Sequence, residues 1–215
     1  MKFDEVALNW DTPERVTRAH SLANSILRTL GTLPVRTALE FGCGTGLISF
    51  SLQERFQSIY CVDSSEGMLR VLHEKIEKAG VGNIFPASVD LLAKKEYRGT
   101  FDVIYSSMVF HHITDIETQL RALHPLLAPG GLLLTIDLDT EDGSFHSAEP
   151  DFHGHNGFDR EEFTGWMQGC GFCDVRFETV YKGEKRGSPY TLFLCSAKKC
   201  YQCQSEKAGF VRLFL

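Results

Sequence analysis

Apolar residues along the chain switch between two periods. Between Pro13 and Leu30, Val16, Ala23, Ile26 and Leu30 recur at helical spacing, which predicts a helix with one buried face. Thr12 is placed to cap its start, Pro13 suits its first turn and Gly31 its end. Short aliphatic and β-branched runs then alternate with helical stretches. Residues 37–41, 58–62, part of 83–89, 101–106 and 132–137 read as five strands. Residues 47–56, residues 65–79 closed by Gly80, and a segment from a Thr114/Glu117 capping box to about Leu127 read as helices between them. Pro129-Gly130-Gly131 reads as the turn into strand five. This alternation predicts a parallel sheet with helices on both faces.

The last third breaks the pattern. Residues 139–158 read as a long polar loop with five acidic residues and three histidines. A short helix over 159–169 follows, then strands over 174–180 and 190–197 joined by the charged segment 182–189. A short connection between neighbouring strands implies an antiparallel pair. The expected organisation is one domain over 1–198: a helical cap (1–36), a ligand-binding core (37–137), then a lid loop and hairpin (138–198). The tail from 199 to 215 fits no pattern.

Composition narrows the function classes. The chain has 215 residues and a net charge of −6, with no basic stripe of the kind that tracks a phosphate backbone, so direct nucleic-acid binding is not expected. No apolar run approaches the ~20 residues of a membrane helix. The start, Met1 to Glu5, lacks the features of a signal peptide, and a cytoplasmic location is expected. Seven cysteines in a chain with a normal core argue for free thiols rather than a disulfide framework.

The chemistry gathers at the strand ends. In open parallel sheets, ligands sit beyond the carboxyl ends of the strands at the topological switch point. Those ends carry Glu40 with Gly42-Cys43-Gly44-Thr45-Gly46, then Asp63, Asp90 and Ser106. Glycines let backbone approach a ligand closely. A dinucleotide loop has G-x-G-x-x-G spacing with pyrophosphate on the helix end. Here the spacing is G-x-G-x-G, and Glu40 before it would repel a pyrophosphate but attract an ammonium or sulfonium. The residues from Glu40 to Gly46 resemble motif I of class I S-adenosylmethionine-dependent methyltransferases. Phe101-Asp102-Val103-Ile104 and Leu127-Ala128-Pro129-Gly130-Gly131 resemble the small "type 11" branch, over about residues 37–197.

That resemblance implies a Rossmann-like, doubly wound α/β sheet of seven strands with the last antiparallel. It implies S-adenosylmethionine as cofactor, S-adenosylhomocysteine as product and a small-molecule acceptor. Glu40, Gly42, Cys43, Gly44 and Gly46 would hold the methionine part of the donor. Asp63 would accept from the ribose hydroxyls, with Ser64, Ser65 and Met68 packing beside the adenosine. Val89 and Asp90 would meet the adenine, and Ser106 would lie near the donor's amino end. His111 and His112, after strand four, are the candidate base or acceptor-orienting groups, with His111 preferred.

The remaining histidines and cysteines give no expected metal site. His153-Gly154-His155 has ligand-like spacing, and Asp137-x-Asp139-x-Glu141 hints at a calcium loop, but Gly143 falls at position seven instead of six. Cys170/Cys173 and Cys200/Cys203 have zinc-ribbon spacing and would meet at one sheet edge, yet also read as a helix stop and a strand end. The 139–158 loop, with Phe152 and Phe158, and Trp166 beyond it, would close over the acceptor on one side and Trp10 on the other. Rival readings are a protein or RNA methyltransferase that depends on a partner, a non-catalytic donor-binding subunit, and a nicotinamide oxidoreductase.

Overall fold

In the computed structural model, which describes residues 2–200, seven strands form one sheet in the order β3-β2-β1-β4-β5-β7-β6. They are β1 (Thr37–Phe41), β2 (Ser58–Asp63), β3 (Ile84–Ser88), β4 (Phe101–Ser107), β5 (Leu127–Leu138), β6 (Phe172–Lys185) and β7 (Ser188–Lys199). The first five pair with one another in parallel, while β7 runs antiparallel to both β5 and β6. The expected architecture is therefore the observed one. Strand order reverses between β1 and β4, and this is where a crevice opens at the strands' carboxyl ends.

Among the described residues, six α-helices accompany the sheet: α1 (Lys2–Val6), α2 (Pro13–Leu30), α3 (Leu47–Leu52), α4 (Glu66–Ala79), α5 (Ile116–Leu123) and α6 (Arg160–Gly169). Side chains alternate across the strands and feed two cores. Ala38, Val103 and Tyr105 join Leu22 and Ile26 of α2 and Leu72 of α4 on one face. Leu39 and Ile104 join Leu120 of α5 and Phe163 and Met167 of α6 on the other. No helix among the described residues is long and apolar enough to cross a membrane.

Local chemistry explains where the elements start and stop. Thr12 accepts the Arg15 N–H at 3.3 Å, Pro13 opens α2, and the Gly31 N–H closes it onto the Leu27 carbonyl. Asp159 caps α6 by accepting from Glu161 and Glu162, both at 2.9 Å. At α5 the cap is Asp115, which accepts the Thr118 N–H at 2.9 Å, and not the expected Thr114. Glu117 pairs instead with Arg121, one turn along. The helix expected over 47–56 ends at Leu52, and Gln53–Arg55 tighten into a 3-10 turn.

Three further departures have physical causes. Pro129-Gly130-Gly131 lies inside β5 as a bulge, because the pairing shifts between Phe101↔Leu127 and Val103↔Leu132. The charged segment 182–189 is ladder, closed by a two-residue turn in which Arg186 and Gly187 both have positive φ (54° and 85°), as a type I′ hairpin requires. Its alternating lysines and glutamates sit on the edge strand, where charge deters pairing with other chains. The third is α1, anchored where Asp4 Oδ1 accepts from the Gly67 N–H (2.8 Å) and Ser65 Oγ (2.7 Å). The tail from residue 201, with Cys203, lies outside the described residues.

Candidate active site

A cavity of about 1030 Å³ lies at the switch point, above the upper end of the roughly 300–1,000 Å³ that holds a drug-sized ligand. Of the residues expected to meet the donor, Glu40, Gly42, Cys43, Gly44, Asp63, Ser64, Met68 and Val89 all line it. Gly46, Ser65, Asp90 and Ser106 do not. Gly46 starts α3, with Leu72 packed against it. Asp90 is exposed and accepts from Ser88 Oγ at 3.3 Å. Ser106 is fully buried, and the next residue, Ser107, lines the cavity in its place.

The glycine loop is tied to its neighbours through its own N–H groups. Gly42 and Cys43 donate to the Val62 carbonyl at 2.8 and 3.0 Å, Gly44 to Asp63 Oδ2 at 2.8 Å, and Gly46 to the Cys43 carbonyl at 2.9 Å. A pyrophosphate needs such donors free, so this loop is spent for that purpose. What remains is a close backbone approach beside carboxylates. Gly42 has φ 72°, and a Cβ there would overlap the Val109 side chain.

Glu40 is buried in a small polar network. Ser49 Oγ bonds its carboxylate and Tyr105 Oη (2.7 Å), and lies 3.0 Å from Cys61 Sγ. Burial pushes the Glu40 carboxyl up to about 8, against the opposing effect of the Ser49 hydrogen bonds. A cation placed beside it would restore the charged form. Asp63 keeps each oxygen on a single N–H donor, Gly44 for one and Ser65 for the other at 2.8 Å, leaving acceptor capacity on both. The residues present thus fit a ligand with a cationic end and a pair of hydroxyls.

The opposite wall is made by histidines. His111 Nδ1 lies 2.6 Å from Asp137 Oδ1, with both side chains buried. A carboxylate only accepts, so Nδ1 carries the proton and Nε2 is left as the reactive nitrogen. His112, also on the cavity wall, is held down at about 4 by burial and by the charges of His111 and His146. His146 comes from the polar loop, where a 3-10 turn (Ser144–His146) buries Phe145 and His146 against the cavity. That loop and Trp10 do line the cavity, as expected. Phe158 and Trp166 pack instead in the α6 core. His155 lies against Phe158, and Phe152 stacks on His146.

Sequence reasoning assigned no role here to Arg15, Arg18, Lys185 or Tyr190, which also line the cavity. Arg18 donates to Tyr190 Oη at 3.1 Å, and Lys185 Nζ lies 3.8 Å from Glu149. Their signal was absent because helix α2 and the hairpin lie far apart in sequence. Among the described residues, the one group of three or more metal-capable side chains is His111, His112 and His146, and not the cysteines. The Cys200 thiol does meet Cys173, and burial together with that contact pushes it up to about 11. Cys170 Sγ, however, donates to the Glu117 carbonyl.

Residues 39–133 match the family described as "Methyltransferase domain". An uncharacterized methyltransferase of Schizosaccharomyces pombe is 34% identical over 122 residues, covering 52% of this chain and 43% of that protein. A ubiquinone biosynthesis O-methyltransferase of Pseudomonas paraeruginosa is 29% identical over 135 residues, covering 60% and 58%. The chain thus spans about half the length of these curated relatives. Phosphoethanolamine N-methyltransferase 2 of Haemonchus contortus, crystallised with S-adenosyl-L-methionine, shares the fold at TM-score 0.70 and 18% identity, over 84% of this chain and 52% of that one. The cyclase SpnF shares it at TM-score 0.69 and 15% identity, over 84% and 80%, so the fold alone does not decide the chemistry. Residues 39–133 thus match a methyltransferase domain, and the seven-stranded sheet shares its fold with a solved methyltransferase that binds S-adenosyl-L-methionine.

Proposed function

We propose that the protein transfers a methyl group from S-adenosylmethionine to a small-molecule acceptor, leaving S-adenosylhomocysteine. The observation that carries this reading is a single cavity with Glu40, Asp63 and the glycine loop on one wall and the Asp137-held His111 on another. When bound, S-adenosylmethionine supplies a methyl carbon already activated by its sulfonium. The protein's task is therefore positioning, exclusion of water and handling of one proton.

Each residue has a part. Glu40 and the backbone from Gly42 to Gly44 hold the charged methionine end. Asp63 receives the ribose hydroxyls, and Met68 and Val89 flank the base. His111 Nε2 faces the acceptor and takes its proton, while Asp137 fixes the ring and stabilises the imidazolium. Arg15, Arg18 and Lys185 share the cavity wall with Glu5, Glu14 and Glu149, which offers an acceptor polar contacts of both signs. The Pseudomonas relative, named as an O-methyltransferase of ubiquinone biosynthesis, supports a small oxygen acceptor.

The test is incubation of the full chain with methyl-labelled S-adenosylmethionine and separate pools of metabolites and macromolecules. Label in a low-molecular-weight product is expected. Label confined to protein or RNA would replace the acceptor class with a partner-dependent one. Donor binding without label in any pool would leave a non-catalytic subunit.

A further inference from the structure

We propose that His111, His112 and His146 bind one divalent transition-metal ion, with its open coordination position facing the cavity. One ring nitrogen from each histidine lies within 4.8 Å of the other two. A tetrahedral ion with bonds of ~2.0–2.1 Å needs donor atoms about 3.4 Å apart. The donor atoms therefore have to close by at most about 1.4 Å, and His112, the most exposed of the three, packs its ring edge-on to Phe3 and Phe152.

The surroundings are those of a ligand set. Asp137 Oδ1 holds His111 Nδ1 at 2.6 Å, which fixes the tautomer and presents Nε2, the arrangement of a carboxylate–histidine–metal triad. His146 is 6% exposed, and its Nε2 has no hydrogen-bond partner. A buried ring nitrogen left unbonded is costly unless something binds it. Glu149 Oε1 stands 3.2 Å from His146 Nδ1, where a carboxylate would support a ligating ring. Phe152 stacks on that ring, with centroids 3.7 Å apart and planes 8° apart, so the ring's plane is set.

Proton abstraction needs one histidine and its carboxylate. It does not explain three imidazoles with centroids 4.1, 5.1 and 5.4 Å apart. Three imidazole donors suit zinc, iron or nickel in the divalent state. Three protein ligands with an open fourth position make a catalytic rather than a structural site. Resting on the proposed methyl transfer, the open position takes an acceptor oxygen, such as a phenol or enol, whose O–H proton passes to bulk water. The ion then does for the acceptor what His111 Nε2 would otherwise do as a base.

The test uses the full chain, stripped with a chelator and titrated with Zn2+ by calorimetry and with Co2+ by visible absorption. One Zn2+ per chain is expected, with tetrahedral cobalt bands of nitrogen ligation. His146→Ala and, separately, the exposed His112→Ala should each weaken Zn2+ binding at least 100-fold. Asp137→Asn should weaken it about 10–100-fold. S-adenosylhomocysteine affinity in the two histidine variants should stay within threefold, which also shows that they fold. Thiolate-to-cobalt charge-transfer absorption would place the ion on cysteines and overturn the assignment, as would undiminished Zn2+ binding in both histidine variants or no stoichiometric binding at all. Full turnover of the chelated enzyme would overturn the ion's role toward the acceptor. Failure of S-adenosylhomocysteine to bind would refute the methyl-transfer reading while leaving the metal titration to stand on its own.

Discussion

Glu40 gives a prediction whose size follows from its surroundings. Its carboxyl is held at about 8, against an ordinary 4.5, chiefly because it is buried. Between those values the folded chain keeps a proton that the unfolded chain releases. Stability therefore falls as pH rises from about 4.5 to about 8 and levels off above. At about 1.36 kcal/mol per pH unit the full effect is on the order of 5 kcal/mol, less whatever the site gains by relaxing. Glu40→Gln removes the ionisation and should flatten this slope in denaturant unfolding measured across the window. The same carboxyl must lose its proton to face a cationic ligand. At pH 7 a group titrating near 8 is about 0.9 protonated, so binding S-adenosylhomocysteine, whose amino group is charged, should release close to one proton. Affinity should then rise about tenfold per pH unit from 6 toward 8. Calorimetry in buffers of different ionisation enthalpy measures the proton directly. No release in the wild type, or equal release in Glu40→Gln, would refute the placement of the cation beside Glu40.

Other perturbations follow from the same geometry. Asp63→Ala should weaken S-adenosylhomocysteine binding by about 1–3 kcal/mol, read by calorimetry, because charged acceptor positions for two hydroxyls are lost. Gly42→Ala should cost at least about 1 kcal/mol of stability in denaturant titration, since it combines positive φ with overlap onto Val109. Asp137→Asn should lower kcat well over tenfold with little change in donor affinity, because it removes the acceptor that orients His111.

Much of the fold was legible because local and global signals agree. Thr12, Pro13 and Gly31 bound α2 where the apolar spacing begins and ends. Apolar runs ending in Glu40, Asp63 and Ser107 place polar groups at the crevice because parallel strands all end on the same side. The misreadings share a cause, which is that partners distant in sequence decide. Lys182 to Lys185 look like a loop until Tyr190 and Thr191 of β7 pair with them. Ser106 and Ser107 are interchangeable on paper, and the pleat puts only one of them in the cavity. His146 carries no motif with His111 and His112. Only the folding of the polar loop over β5, with Phe145 and Phe152 as its apolar anchors, brings it to them. The acid wall and the His111–His112 pair could be read from strand ends, whereas His146 could not be read from a loop.

The central claim is that the wall of Glu40, Asp63 and the glycine loop is built for a methyl donor. Calorimetric titration of the full chain with S-adenosylhomocysteine, and in parallel with NAD, tests it most directly. The account predicts one S-adenosylhomocysteine per chain, weakened in Asp63→Ala, and no NAD binding. Binding of NAD alone, or of S-adenosylhomocysteine with undiminished affinity in Asp63→Ala, would contradict it.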